Sequence, residues 1–273
     1  MKKFVALMLA MLMALALVAC GQDAAPAKDN VLILGTSADY APFEFMYADD
    51  KGDMQYAGID VSVAKYIAED MGKELQVENM AFDYLLTSLQ KGDYDMVIAA
   101  MEASPDRLEA ADFSDPYYTD MPAMIVVKAA NADQYKTLAD FGGKSVGAQT
   151  ATTKLDIVNN DMPGANAVPL QIVTDLINEL VNDKVDAVVL DGAVAMEYVQ
   201  ANSDLVIADA SAELGEAAPY CVAVAKGDPK GLLPAINEAI AKMTAENAVE
   251  TFIADADALS GVAVEVSADA PAA

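Results

Sequence analysis

Histidine and tryptophan are absent from the 273-residue sequence, and cysteine occurs twice. Without histidine the chain cannot form a Ser–His or Cys–His nucleophilic pair. It also has no run of residues with metal-ligand spacing and no glycine-rich phosphate loop. A buried carboxylate could still act as an acid or base. We therefore expect a protein that is not an enzyme and that needs no metal or cofactor.

Basic residues are scarce as well. Lysine and arginine number 16 against 43 aspartate and glutamate residues, which gives a formal net charge of −27. Such a surface repels the phosphates of nucleic acids and of anionic membranes, so we exclude both as binding partners.

The N-terminus has the pattern of an export signal. Three residues with two lysines precede an apolar run of 16 residues, Phe4 to Ala19. A membrane-spanning helix needs about 20 such residues, so residues 1–19 are predicted to be a cleaved signal peptide. The run ends in Leu17-Val18-Ala19-Cys20, which resembles a lipobox and implies lipidation of Cys20 on the outer face of a bacterial membrane. The alternative is an ordinary signal peptide with an incidental cysteine.

The second cysteine, Cys221, is then left without a partner, so we expect no disulfide framework. It lies in an apolar run and is predicted to be a small core residue. Residues 20–30, which are small and polar, are predicted to form a flexible tether.

Apolar runs alternate with amphipathic segments along the rest of the chain. Helices predicted after Asp60 and Asp83, which would cap them, separate three short strands. The alternation predicts an α/β fold with a mainly parallel sheet. It then begins again, with the predicted elements Lys144 to Gln149, Lys154 to Val158, Asp175 to Val181 and Ala187 to Leu190.

An internal repeat supports two similar units. At an offset of 91 residues, the segment from Leu89 to Ile98 matches the segment from Leu180 to Val189. Leucine meets leucine, aspartate meets aspartate, and an apolar strand follows each. We interpret this as one strand–helix unit used in each of two lobes. Residues 31–125 and 226–259 would form lobe I and residues 126–225 lobe II. Ala123–Lys128 and Tyr220–Lys226 would be the hinge strands, and residues 260–273 a disordered tail.

Ligands of parallel α/β sheets bind beyond the carboxyl ends of the strands. Four such ends are predicted here, two in each lobe, so a cleft between the lobes would collect them: Thr36–Tyr40, Ala100–Arg107, Thr150–Thr153 and Asp191.

Arg107 stands out in this set. Ser104 and Pro105 predict a helix start, with a side-chain oxygen at the N-cap and proline at N1. A cation in the first turn is disfavoured by the helix dipole, so an anion shared with the backbone N–H groups would explain it. The alternative is a surface ion pair with Asp106 or Glu109.

The other strand ends offer complementary chemistry. Arg107, with N–H groups at Ser104, Thr152 and Thr153, would hold a carboxylate, while Asp191 and Glu102 would hold an ammonium. An amino acid carries both groups. The threonines and Asp191 also have a structural interpretation, as helix N-caps alone.

Several of these motifs occur together in a consistent order: Gly35-Thr36, Tyr40 to Glu44, Gly58-Ile59-Asp60, Met101, Ser104 to Arg107, Asp112 to Tyr118 and Thr152-Thr153. As a set, over residues 31–255, they resemble the polar amino acid–binding proteins of ABC importers, which have the two-lobed type II periplasmic-binding fold. The resemblance implies a monomer that delivers an amino acid to a permease and ATPase. It implies that Arg107 binds the ligand α-carboxylate, with help from the backbone at Glu102 and Thr153. It also implies that Asp191 binds the α-ammonium and that Tyr40 and Phe82 flank the ligand side chain.

The sequence departs from the family pattern at several positions. Glu102 stands where a small hydroxyl residue is usual, Ala100 where glycine or serine is usual, and Lys154 where an uncharged residue is common. The closing Lys-Trp motif is missing. These departures leave the ligand open, and Glu102 favours a polar or cationic one. Two other functions remain possible on the same scaffold: an enzyme similar to cyclohexadienyl dehydratases, or the ligand-sensing partner of a membrane receptor.

Overall fold

The computed structural model describes residues 30–261 and 263–264. The predicted signal peptide, Cys20 and residues 21–29 of the predicted tether lie outside the described residues, as do residues 262 and 265–273. Within the described part of the chain, no helix is long and apolar enough to cross a membrane.

One five-stranded sheet combines four strands from residues 31–118 with one from residues 220–225, in the order β5-β1-β6-β13-β7. Strands β1 and β6 are parallel, with Leu34 opposite Met96. Strand β13 runs antiparallel to both of its neighbours, β6 and β7. The strands are β1 (Val31–Thr36), β5 (Glu74–Asn79), β6 (Met96–Val97), β7 (Ala111–Tyr118) and β13 (Tyr220–Ala225).

A second five-stranded sheet follows, in the order β10-β9-β11-β8-β12. Strands β9, β10 and β11 are parallel, β8 runs antiparallel to β11, and β12 runs antiparallel to β8. The fold is therefore α/β with two sheets, as predicted, but both sheets are mixed. The strands are β8 (Met124–Lys128), β9 (Ser145–Gln149), β10 (Asn166–Leu170), β11 (Ala187–Leu190) and β12 (Leu205–Ile207).

The two predicted hinge strands lie in different sheets. Strand β8 belongs to the second sheet and β13 to the first, so they do not pair with each other. The chain passes from the first sheet to the second between β7 and β8, and it returns between β12 and β13. The lobe boundaries at residues 125/126 and 225/226 stay predictions.

Eight helices cover the sheets in the described part of the chain: α1 (Ile59–Asp70), α2 (Leu85–Lys91), α3 (Pro105–Ala110), α4 (Thr153–Asn160), α5 (Val173–Val181), α6 (Gly192–Ala201), α7 (Leu233–Ala245) and α8 (Ala248–Ser260). The apolar positions Val63, Ala64 and Ile67 form the fully buried face of α1, which packs against α7 and α8. Short 3₁₀ turns occupy Phe82–Tyr84, Ala129–Gln134, Leu138–Phe141 and Asp209–Glu213.

The predicted caps at Asp60 and Asp83 are wrong. Gly58 precedes α1 as its N-cap, and Tyr84 precedes α2. Asp60 is fully buried, and its carboxylate accepts hydrogen bonds from the Ala100 N–H (2.6 Å) and the Tyr117 hydroxyl (2.7 Å). These long-range partners outcompete the local cap.

The internal repeat has a structural counterpart in both sheets. Asp95 precedes β6, and its Oδ2 accepts a hydrogen bond from the Ile33 N–H in β1 (2.7 Å). Asp186 precedes β11, and its Oδ2 accepts one from the Ser145 N–H in β9 (2.9 Å). Each aspartate therefore binds the backbone of the neighbouring parallel strand at the equivalent position. This shared role explains why both copies of the repeat contain an aspartate here.

A small antiparallel sheet adjoins the first. Strands β3 (Glu44–Ala48) and β4 (Met54–Ala57) form the predicted hairpin, and β2 (Asp39–Tyr40) pairs with β3. Strand β14 (Ala263–Val264) pairs with β3 on the edge opposite β4, next to β2. The prediction of a disordered tail from residue 260 is wrong for these residues, because Ser260 ends α8 and the open edge of β3 provides backbone partners for β14.

Candidate functional site

Arg107 lies where the sequence predicts it, in the first turn of α3 after Ser104 and Pro105. Ser104 is the N-cap residue, but its hydroxyl makes no capping bond to the described backbone. The Arg107 guanidinium donates to the carbonyl of Glu102 (3.0 Å) and, across the cleft, to that of Ala151 (3.2 Å). Arg107 thus links the loop after β6 to the loop after β9.

Arg107 forms its ion pair with Glu102 and not with Asp106 or Glu109, the two surface acids considered from the sequence. Its Nη1 lies 3.8 Å from Oε2 of Glu102. The guanidinium carbon lies 5.2 Å from the centre of the Phe82 ring, in a cation–π contact. Burial lowers the pKa of Arg107, although the nearby Glu102 opposes this shift. An arginine keeps its charge in such surroundings.

Glu102 is buried and held from the second sheet. Its Oε2 accepts a hydrogen bond from the Thr153 hydroxyl (2.6 Å), and its Oε1 lies 3.1 Å from the Lys154 ammonium. The contact of Glu102 with Thr153 joins the two sides of the cleft through side chains and was not predicted from the sequence. We find the Glu102 carboxylate neutralised by protein groups.

Asp191 follows β11 at the N-cap position of α6, yet its carboxylate does not cap that helix. Its Oδ2 accepts a hydrogen bond from the Tyr40 hydroxyl at 2.7 Å. Its Oδ1 lies 2.5 Å from the Lys154 ammonium. The side chain therefore faces the cleft, and the structural alternative of a simple cap does not describe it.

Lys154 is the site residue that the sequence analysis treated as a departure and did not place in the site. It occupies the first turn of α4, and its side chain is 7% exposed. Burial alone would lower the pKa of Lys154, but Asp191 and Glu102 outweigh burial, so its pKa is raised and the ammonium stays charged. The sequence contained a signal for this role of Lys154. A cation in the first turn of a helix is disfavoured by the helix dipole, at Lys154 as at Arg107.

The remaining predicted residues surround this cluster. Thr152 is the N-cap of α4: its hydroxyl accepts from the Leu155 N–H (3.3 Å) and donates to the Gln149 carbonyl (2.6 Å). Its hydroxyl is therefore used for capping. Ala100 has a positive φ of 44°, a conformation that favours glycine, and this explains the residue type usual at that position.

Two acids, half-buried Asp39 and fully buried Glu44, lie beside the cluster and were missed from the sequence. Asp39 follows β1, and burial raises its pKa from 3.8 to about 6. Burial also raises the pKa of Glu44 well above its usual value, and the nearby Asp60 adds to this shift. Glu44 Oε2 has no hydrogen-bond partner within the part of the chain that the structure describes. Asp39 lies in the predicted strand end Thr36–Tyr40 and Glu44 in the motif from Tyr40 to Glu44, but nothing in the pattern showed that these acids face inward.

The groups from both sheets line one cavity, which includes Tyr40, Phe82, Ala100, Arg107, Thr152, Lys154 and Asp191 together with Asp39 and Glu44. Ser104 and Thr153 line an adjoining cavity that shares Phe82, Arg107 and Thr152 with the first. A cation and an anion from opposite sides of a cleft thus face one small space. This arrangement suits capture of a small ligand that carries both charges, as in a solute-binding protein.

Comparison with known proteins agrees with this class. The profile of the family described as bacterial extracellular solute-binding proteins, family 3, matches residues 32–255. The chain belongs to this family, and its fold is that of the type II periplasmic-binding proteins.

Among its relatives is the arginine-binding extracellular protein ArtP of Bacillus subtilis, 36% identical over 220 residues that cover 78% of this chain and 83% of ArtP. ABC transporter arginine-binding protein 1 of Escherichia coli is 32% identical and covers 78% of this chain and 84% of its own length. These relatives are named as binding proteins rather than enzymes.

Solved structures match as well. The structure of the amino acid ABC transporter substrate-binding protein AbpA from Streptococcus pneumoniae bound to L-arginine superposes with a TM-score of 0.80 at 33% identity. It covers 85% of this chain and 96% of that one. A Salmonella typhimurium periplasmic binding protein, described by its high arginine specificity, gives a TM-score of 0.74 at 29% identity and covers 83% and 98% of the two chains.

Proposed function

We propose that the protein binds an amino acid in the cleft between its two sheets and delivers it to the permease and ATPase of an ABC importer. The observation that carries the proposal is the placement of Arg107 and Asp191, from different sheets, on one cavity. Arg107 would bind the α-carboxylate, since a guanidinium fork matches a carboxylate. Asp191 would bind the α-ammonium.

We propose a cationic ligand, with L-arginine as the first candidate. Half-buried Asp39 and buried Glu44 line the cavity, and a positive ligand side chain would stabilise their ionised forms. Tyr40 and Phe82 supply aromatic walls, on which a guanidinium can stack. The relatives that are named as arginine-binding and the neighbours solved with L-arginine support the same choice.

We also propose that the protein is attached to the membrane through its N-terminus. The lipobox-like segment before Cys20 supports cleavage at that residue and a lipid anchor on the outer face of the membrane. We propose that the mature protein works there as a monomer. Mass spectrometry of protein extracted from membranes would test the modification directly.

A thermal-shift screen of the mature chain against the common amino acids tests the binding function. A ligand at a hundredfold excess over its Kd stabilises by about 2.7 kcal/mol, which is a clear shift in Tm. We expect the largest shift with L-arginine. If no amino acid shifts the Tm, the binding function is wrong, and if glutamate binds more tightly than arginine by calorimetry, the cationic preference is wrong.

A further inference from the structure

The ammonium of Lys154 lies between two carboxylates inside the cleft. It is 2.5 Å from Oδ1 of Asp191 and 3.1 Å from Oε1 of Glu102. The side chains of all three residues are no more than 10% exposed. Water therefore screens these charges weakly, and the ion pairs are strong constraints on what else can enter.

The second oxygen of each carboxylate is occupied too. Oδ2 of Asp191 accepts from the Tyr40 hydroxyl, and Oε2 of Glu102 accepts from the Thr153 hydroxyl. Each oxygen of the Asp191 and Glu102 carboxylates, which form the acidic side of the cleft, thus has a partner within the protein. On the basic side, the Arg107 guanidinium donates to two backbone carbonyls, which are neutral acceptors and yield more readily to a carboxylate.

A lysine side chain and an amino acid offer the same group to this acidic side. Each presents an ammonium with N–H donors and one positive charge. We propose that Lys154 determines affinity and specificity by holding the ammonium position at Asp191 and Glu102, so that an amino acid binds by exchanging its own ammonium for that of Lys154. This inference rests on the proposed amino acid binding and adds to it the residue that the ligand must displace.

The charge balance in the cleft predicts in which direction the affinity for an amino acid changes when Lys154 is replaced. Removing the Lys154 charge leaves the buried Asp191 carboxylate without an ion-pair partner and leaves Glu102 with only the longer 3.8 Å contact to Arg107, which is strongly unfavourable. The ammonium of an incoming amino acid restores the balance. Loss of the lysine therefore makes amino acid binding stronger, whereas a lysine that bound the ligand carboxylate would make it weaker when removed.

Calorimetry with L-arginine on the wild type and on Lys154→Met tests the exchange. Methionine is an unbranched side chain one atom shorter than lysine and carries no charge. A hydrogen bond to a charged group contributes about 1.5–3 kcal/mol, so we expect the variant to bind L-arginine at least about tenfold more tightly. Its Tm without added amino acid should fall and should recover when L-arginine is present.

The matched control is Lys144→Met. Lys144 lies before β9, at the other end from Lys154, and pairs with Asp186 at 3.5 Å, where both side chains are 36% exposed. Because this pair lies outside the cleft lining, the control should bind L-arginine as the wild type does. Equal or weaker binding by Lys154→Met, with an unchanged control, overturns the inference and leaves the proposed function standing.

Nα-acetyl-L-arginine provides a second measurement, because it has the carboxylate and guanidinium but no α-ammonium. We expect the preference for L-arginine over the acetylated compound to increase in Lys154→Met, and an unchanged preference counts against the exchange. If Lys154→Met does not fold, the double variant Lys154→Met/Glu102→Gln removes one charge of each sign and should still bind L-arginine more tightly than the wild type. If the wild type and both variants bind no amino acid, the proposed function fails and the exchange fails with it.

Discussion

The Tyr40 hydroxyl donates a 2.7 Å hydrogen bond to Asp191, a residue 151 positions further along the chain. Tyr40 ends strand β2 beside the first sheet, and Asp191 follows strand β11 of the second. The Asp191 N–H also lies 3.2 Å from the same hydroxyl oxygen. One phenol therefore fixes the orientation of the carboxylate that we assign to the ligand ammonium.

Replacing Tyr40 by phenylalanine should weaken amino acid binding. The aromatic ring stays in its packing against Phe43, but the Asp191 carboxylate loses a donor that orients it. Since hydrogen bonds to charged groups contribute about 1.5–3 kcal/mol, we expect the Kd for L-arginine to rise about tenfold or more by calorimetry. Tyr135→Phe is the control, because this buried tyrosine lies 3.5 Å from Asp186, away from the cleft lining. A similar loss in the control would mean that the effect is structural.

Arg107→Lys should abolish most of the binding while keeping the charge. The guanidinium reaches two carbonyls and a carboxylate on opposite sides of the cleft, and an ammonium cannot reproduce that fork. We expect the Tm shift with L-arginine to disappear and the Tm without it to change little, because lysine keeps the positive charge beside Glu102. A large fall in the Tm without ligand would show that Arg107 holds the fold together instead.

Asp60→Ala tests the buried acid beneath the site. It removes the acceptor of the Ala100 N–H and of the Tyr117 hydroxyl, both in the interior. Leaving a buried donor unpaired costs about 1–3 kcal/mol, so the free energy of unfolding in urea should fall by about 3 kcal/mol. Asp60→Asn retains an acceptor oxygen and should lose less. The exposed Asp106→Ala is the surface control, and equal losses in both alanine variants would contradict this assignment.

The pKa of Asp39 makes stability depend on pH. Burial raises its pKa from 3.8 to about 6, although its bond from the Val173 N–H opposes the shift. The folded state therefore binds this proton more tightly than the unfolded state does. The stabilisation is complete below pH 3.8 and is lost as the pH rises through about 6. Asp39→Asn cannot titrate, so the stability of the wild type relative to this variant should fall between pH 4 and pH 7 in urea unfolding. A constant or rising difference would contradict the raised pKa.

The α/β architecture and the position of Arg107 were predictable because they depend on local signals. Periodicity, the Ser104–Pro105 helix start and the repeat around Asp95 and Asp186 each lie within about ten residues of sequence. The edge strand β14 and the mixed strand directions were not predictable, since they depend on which sheet edge is free after folding.

At Asp60 and Lys154 the sequence analysis failed because the partners of these charged residues are distant in sequence. Asp60 looked like a helix cap, but its partners lie 40 and 57 residues away. Lys154 was noted as unusual, yet its ion pairs depend on residues 52 and 37 positions away from it. Local patterns identified Arg107, Glu102 and Asp191, and only the tertiary structure added Lys154 and showed how these charges neutralise one another.

The hydrogen bonds that Asp95 and Asp186 accept also provide two probes of local opening. Each holds one backbone amide, that of Ile33 in the first sheet and that of Ser145 in the second. Because exchange of a bonded amide with solvent deuterium requires local opening, the rates at these two amides report separately on the two halves of the molecule. Their ratio would show which half loosens first when the protein is heated or when the cleft is filled.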